Sequence, residues 1–172
     1  MRKIVLIGYM ASGKTTVGKI IAEKIGVSHV DLDNLIEKET KSSIENIFKE
    51  KGEIYFRKTE HDLFKKQIES KESLVISTGG GTPCYADSHL LLNVDGVISI
   101  YLKASIDTLY DRLLVENAKR PLVANKSEEE LKEFIAKQLF ERSYYYNKAT
   151  FKISIDGKNQ ENIASEIITL LV

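Results

Sequence analysis

The chain has little cysteine, no excess of charge of either sign and no long apolar run. Its 172 residues include one cysteine, Cys84, so no internal disulfide can form, which fits a reducing, cytoplasmic setting. Lysine plus arginine number 25 and aspartate plus glutamate number 25, a formal net charge of zero. That balance argues against a protein of nucleic acids or membrane surfaces, which would usually be basic, although a local basic pocket is still allowed. No apolar run approaches the ~18 residues that a membrane span needs. The opening MRKIVLIGYM has the basic-then-apolar look of a leader, but the run is short and enters a glycine motif directly, so it reads as a core strand. There is no internal repeat and no low-complexity linker. What is present is the composition of an ordinary soluble protein, 42% hydrophobic and 29% charged. The length predicts a single domain, 1–172, large enough for a real core.

Gly8-Tyr9-Met10-Ala11-Ser12-Gly13-Lys14-Thr15 reads G-x-x-x-x-G-K-[ST], the P-loop that holds a nucleoside triphosphate. The short apolar run Arg2-Lys3-Ile4-Val5-Leu6-Ile7 before it predicts a buried strand. Val17, Ile20, Ile21, Ala22 and Ile25 after it recur at helical spacing, and Gly26 ends that run. Strand and helix on either side separate a phosphate loop from a chance match. Gly8 and Gly13 permit a tight turn that aims N–H groups at phosphates, and the helix N-terminus adds its dipole. Lys14 is expected to reach the β- and γ-phosphates, and Thr15 to ligate Mg²⁺. Gly8, Ala11, Ser12, Gly13, Lys14, Thr15 and Thr16 are the expected nucleotide-binding residues of this loop.

Strand and helix patterns alternate along the rest of the chain. A short strand, 29–31, precedes a charged helical stretch from about 34 to 70, broken near Ser42 and Gly52. A strand at 74–77 ends in Gly79-Gly80-Gly81. A helix over 86–93, a strand over 96–102 and a helix over 105–116 follow. Ser127 predicts a helix cap with Glu130 as its capping-box partner, for a helix running to about Asn147. A strand at 150–155 and a helix at 160–171 close the chain. Such alternation predicts a three-layer α/β/α fold on a mostly five-stranded parallel sheet, with ligands at the carboxyl ends of the strands.

Several patterns fall at those ends. Asp31 and Asp33 flank Leu32; residues two apart on an extended segment share a side, so both carboxylates are expected beside the γ-phosphate. One can serve the Mg²⁺ shell and the other orient or deprotonate an acceptor hydroxyl. The plainer reading makes Asp33 the N-cap of the following helix. Arg57, beside Tyr55 and Phe56, suits a carboxylate or phosphate, but alone it reads as a solvated helix face with Glu60 as ion-pair partner. Ser77-Thr78-Gly79-Gly80-Gly81 permits close backbone approach to a ligand, or is a flexible turn. Arg120, in Lys119-Arg120-Pro121-Leu122, is placed to close over phosphates, and Asn117 to about Lys126 is expected to be a lid that excludes water. Arg112 and Arg142 sit on helices. His29, His61 and His89 lack metal-ligand spacing. Cys84 reads as a packing residue, and Tyr144–Tyr146 as half-buried helix residues. Asn125-Lys126 superficially resembles a guanine-reading motif, but Glu128 stands where an aspartate belongs.

Taken together, the P-loop, Asp31-Leu32-Asp33 with Ile36-Glu37, Gly52-Glu53 with Phe56-Arg57, Ser77–Gly81, Arg120-Pro121-Leu122 and Glu141-Arg142 with Tyr144-Tyr145 resemble the shikimate kinases, in order and spacing over nearly the whole chain. The resemblance implies a P-loop NTPase fold like that of nucleoside monophosphate kinases, with a substrate-binding helical region at about 33–61 and the lid at about 117–126. It implies phosphorylation of the 3-hydroxyl of shikimate by ATP, one Mg²⁺ accompanying the nucleotide, and a cytoplasmic monomer without nucleic-acid or membrane partners. By similarity Asp33 is the candidate base, with Lys14 and Arg120 as the other catalytic residues. Arg57 and Arg142 clamp the carboxylate, and Gly79, Gly80 and Gly81 bind the ring side through backbone groups. Thr15 and Asp31 serve the metal. Arg112 stacks on adenine, with Gln160 in the adenine loop where family members often carry proline. Ala11 replaces a frequent P-loop glycine. Two other readings compete: a gluconate-type kinase, which should lack the arginine pair with the triple glycine, and a silent nucleotide-binding module, which should have lost Asp33 or Lys14.

Overall fold

A computed structural model describes residues 2–116 and 126–171. Five strands form one parallel sheet: β1 Lys3–Ile7, β2 Ser28–Asp31, β3 Leu74–Ser77, β4 Val97–Lys103 and β5 Phe151–Ser154, in the order β2-β3-β1-β4-β5. Every β1 residue is buried, as expected for a central strand covered on both faces. The pleat sends Ile4 and Leu6 into one core, with Val17 and Ile21 of α1 (Lys14–Ile25), Leu109 of α4 (Ile106–Glu116), Ile135 of α5 (Glu128–Tyr146) and Ile163 of α6 (Gln160–Leu171). Val5 and Ile7 enter the opposite core, with Leu32 and Ile36 of α2 (Leu32–Thr40), Phe56 and Phe64 of α3 (Ile44–Glu69), and Tyr146.

Register then decides where the chemistry lies. Leu6 of β1 pairs with Ser77 of β3, and Ser77 pairs with Asp31 of β2. Three strands thus end at one level of the sheet, and the P-loop, the turn into α2 and the glycine turn leave it side by side.

Local sequence explains the breaks. Ser43 caps α3 by accepting from the Asn46 amide, and Gly52 (φ 81°, ψ 173°) interrupts α3 with a backbone conformation other residues rarely adopt. Ser127 and Glu130 form the expected capping box of α5. The helix expected over 86–93 is instead two 3₁₀ turns, Thr82–Cys84 and Ser88–Asn93, separated where Ala86 and Asp87 take positive φ. No described helix is long and apolar enough to cross a membrane. Of the lid expected at about 117–126, residues 117–125, Arg120 among them, lie outside the described residues.

Candidate active site

Three clefts run in line along the carboxyl edge of the sheet. The middle one, about 210 Å³, is lined by Met10, Ala11, Gly13, Lys14, Thr15, Thr16, Asp31, Asp33, Thr78, Gly79 and Gly80. A second cleft shares Ala11, Gly13 and Thr16 with it and adds Arg112, Val115 and Gln160. A third shares Met10, Asp33, Gly79 and Gly80 and adds Phe48, Phe56, Arg57, Glu60, Gly81 and Arg142. The order suits a base, its phosphates and a phosphoryl acceptor.

The phosphate loop has the geometry its letters require. Gly13 (φ 89°) is left-handed and turns its neighbours' amides toward the start of α1. Lys14 Nζ donates to the carbonyls of Gly8 at 2.8 Å and Tyr9 at 2.9 Å, which holds the cation over the loop. Ser12 is buried within it. Arg112 Nη1 donates to Ala11 O at 3.1 Å, so the arginine expected at adenine is tied to the loop. Ala11 is itself left-handed (φ 62°), which accounts for a glycine preference there.

Thr15 Oγ1 donates to Asp31 Oδ2 at 2.5 Å, so the two residues expected at the metal are in contact. The other Asp31 oxygen accepts from the Asn34 amide. This corrects the cap assignment: Asp31, not Asp33, caps α2, because the strand ends at Asp31 and the helix begins at Leu32. Asp33 lies in the first helical turn rather than on extended backbone, yet both carboxylates still border the middle cleft. Among the described residues no three histidine, cysteine, aspartate or glutamate side chains gather to hold an ion alone. Thr15 and Asp31 are oxygen donors, which fits Mg²⁺ shared with phosphates rather than caged by protein.

Asp33 opens into the cleft, but packing removes much of its hydration and Asp31 and Glu60 lie nearby. Together these push its carboxyl up to about 6, with Lys14 opposing. It is thus a carboxylate poised to exchange a proton near neutrality.

The triple glycine is a site of close packing rather than a flexible turn. A Cβ on residue 79 would lie 3.0 Å from Asp33 Oδ1, and one on residue 81 would lie 2.8 Å from Arg57 Nη2. One on residue 80 would lie 3.3 Å from Arg142 Nη1 and from the Met10 amide nitrogen. Three expected substrate residues therefore press on three consecutive glycines, and side chains there would displace them.

Arg57 does pair with Glu60, Nη1 to Oε2 at 2.8 Å, but in the interior and not on a solvated face. Glu60 is 2% exposed and its other oxygen accepts from Thr82 Oγ1 at 2.7 Å. Arg57 also stacks on Tyr85, with 4.1 Å from its guanidinium carbon to the ring centroid. In sequence Glu60 reads only as the ion-pair partner of Arg57 on a solvated face, which does not place it in the site. Tyr146, four after Arg142, was missed likewise: it is fully buried, not half-buried, and its hydroxyl donates to Gly80 O at 2.6 Å. Cys84 is partly exposed between Arg142, Arg57 and Glu60, and burial pushes its thiol up to about 11, so it stays protonated at neutral pH. His29 bonds Ser77 Oγ and His61 bonds Ser88 Oγ, structural contacts with no metal character.

The comparisons agree with this geometry. The sequence model of the family described as shikimate kinase matches residues 10–172. A shikimate kinase of Flavobacterium psychrophilum is 52% identical over 171 residues, 99% of each chain. The crystal structure of a shikimate kinase from Bacteroides thetaiotaomicron superposes with a TM-score of 0.90 at 34% identity, covering 99% of this chain and 98% of that one. A shikimate kinase from Acinetobacter baumannii, solved in complex with shikimate, gives a TM-score of 0.86 at 28% identity, covering 99% of this chain and 93% of that one. With its P-loop, its acidic pair and its arginine-lined glycine turn in one crevice, the chain belongs to the shikimate kinase family.

Proposed function

We propose that this protein transfers the γ-phosphoryl group of ATP to the 3-hydroxyl of shikimate, giving shikimate 3-phosphate and ADP on the route to chorismate and the aromatic amino acids. The observation that carries the reading is the convergence of Arg57, Arg142 and Asp33 on Gly79–Gly81, in a cleft that joins the phosphate loop at Met10, Asp33, Gly79 and Gly80. Shikimate is a small polyhydroxy carboxylate. Two guanidinium groups suit its carboxylate, and a carboxylate suits its hydroxyls.

The residues divide the work by position. The loop amides and Lys14 bind and neutralise the β- and γ-phosphates. Thr15 and Asp31 would hold the Mg²⁺ that accompanies the nucleotide, and the ion would supply positive charge beside the phosphates. Arg57 and Arg142 anchor the acceptor's carboxylate, which points its 3-hydroxyl toward the phosphates. Asp33, ionised at neutral pH but close to its own pKa, accepts the hydroxyl's hydrogen bond and then its proton as the O–P bond forms. Ile44, Phe48 and Phe56 line the acceptor cleft and keep water from it. Arg112 and Gln160 border the base. By the family resemblance Arg120 and a lid at about 117–126, of which 117–125 lie outside the described residues, would serve the phosphates, and residues 33–61 the acceptor. A monomer in the cytoplasm suffices for this chemistry, with no nucleic-acid or membrane partner.

The test is ADP production from Mg·ATP with shikimate, gluconate, CMP or no acceptor. Turnover that depends on shikimate supports the proposal. ADP release without acceptor, or dependent on gluconate, would replace it, and tight nucleotide binding without turnover would identify a silent module.

A further inference from the structure

Tyr146 is the last residue of α5 and is fully buried although it carries a hydroxyl. Its ring stacks on Tyr101 of β4, centroid to centroid at 4.9 Å and tilted by 36°. The hydroxyl donates to the Gly80 carbonyl at 2.6 Å, and a Cβ on residue 80 would lie 3.3 Å from Nη1 of Arg142, one helical turn before Tyr146. The hydroxyl thus holds the turn on which the Arg142 guanidinium packs. Burial raises the phenol far above its ordinary pKa, so the proton is kept at every working pH. Phenylalanine would fill the same space and stack on the same ring. The hydroxyl is therefore not needed for packing, and its bond ends on the glycine turn of the acceptor cleft.

We infer that Tyr146 is a positioning residue for the acceptor: its hydroxyl pins the glycine turn at Gly80, against which the Arg142 guanidinium is placed. The inference rests on reading the third cleft as the acceptor site. Arg142 is constrained on its other face by Tyr9, whose ring centroid lies 5.5 Å from the guanidinium carbon and whose hydroxyl is anchored on Gln138 Oε1 at 2.6 Å. The Gly80 backbone borders the guanidinium as well, and Tyr146 holds that backbone. A carboxylate bound by two arginines is sensitive to their spacing, because bidentate geometry tolerates little displacement.

The experiment compares wild type, Tyr146→Phe and Tyr101→Phe for kcat, both KM values and Tm. Tyr146→Phe is expected to raise the shikimate KM about tenfold and leave the ATP KM within about twofold. Tyr101→Phe, which removes a neighbouring hydroxyl from the same stack, is expected to change neither KM. A wild-type shikimate KM in Tyr146→Phe, whatever its Tm, would overturn the inference, as would an equal rise for both substrates, the mark of general loosening. If Tyr146→Phe is recovered only unfolded, ¹³Cζ-tyrosine labelling of the wild type decides: the Tyr146 resonance should move with shikimate and not with Mg·ATP, and a stationary resonance refutes it. A wild-type chain that does not turn over shikimate would instead refute the reading of the cleft.

Discussion

Asp33→Asn should make this protein more stable and all but inactive. The Asp33 carboxyl sits at about 6 against an ordinary 3.8, raised first by burial and then by Asp31 and Glu60. A folded-state pKa above the unfolded one means that the fold prefers the protonated form. The group therefore costs nothing below about pH 4, and its cost grows as pH rises through about 6. The shift of about two pH units would correspond to about 3 kcal/mol at 1.36 kcal/mol per unit for a group wholly removed from water. Asp33 opens to the cleft, so solvent screening reduces this to about 1 kcal/mol. A negative charge in the first turn of α2 also gains a few tenths of a kcal/mol from the helix dipole, which asparagine gives up. The expected net gain at pH 8 is about 0.5–1 kcal/mol, or about 2 °C in Tm for a domain of this length. Thermal melts of wild type and Asp33→Asn from pH 4 to 8 measure it: the curves should coincide near pH 4 and separate upward for the variant. A variant equal to or below wild type at pH 8 would refute the reasoning, since Asp33 would then be stabilised as an anion. In the active protein the same group should give kcat/KM for shikimate an acidic limb near pH 6, and Asp33→Asn should lower turnover by about 10²-fold or more.

Lys14→Ala should abolish turnover, because the phosphate loop loses its cation; substantial residual activity in a coupled ADP assay would remove Lys14 from its role. Arg57→Ala should raise the shikimate KM about 10²-fold with ATP binding intact, as measured by steady-state kinetics and nucleotide titration; a fall in ATP affinity would show that Arg57 is no acceptor clamp. Gly81→Ala should raise the shikimate KM while leaving Tm nearly unchanged, since its Cβ would meet only the movable end of Arg57, at 2.8 Å. A large loss of Tm with an unchanged KM would contradict that. Ala11→Gly relieves a left-handed alanine but frees the unfolded chain, so its Tm should stay level or rise by about 1 kcal/mol equivalent; a clear drop would mean that the Ala11 methyl packs favourably.

The alternation of strands and helices, the phosphate loop and the family were legible in the chain because each is written locally. A strand is announced by a run such as Lys3–Ile7, and a P-loop by residues that lie within one turn of each other. The capping box at Ser127 and Glu130 is equally local and formed as read. The break at Ala86 and Asp87 was not legible, because positive φ at residues other than glycine is imposed by surroundings and not announced by composition. Asp31 and Asp33 were found as a pair, but which one caps α2 depended on where that helix began: the pattern puts its start at about 34, whereas it begins at Leu32, directly after β2. Tertiary structure alone decided the rest. Asp33 owes its raised pKa first to burial, then to Asp31 and to Glu60 of another helix, and Glu60 is itself in contact with Arg57 and Thr82. The need for three glycines at 79–81 became clear only when Asp33, Arg57 and Arg142, distant in sequence, were seen to occupy the space their side chains would fill. Local pattern fixes which residues can bind phosphate; burial, charge and close approach depend on what the fold brings together across the chain.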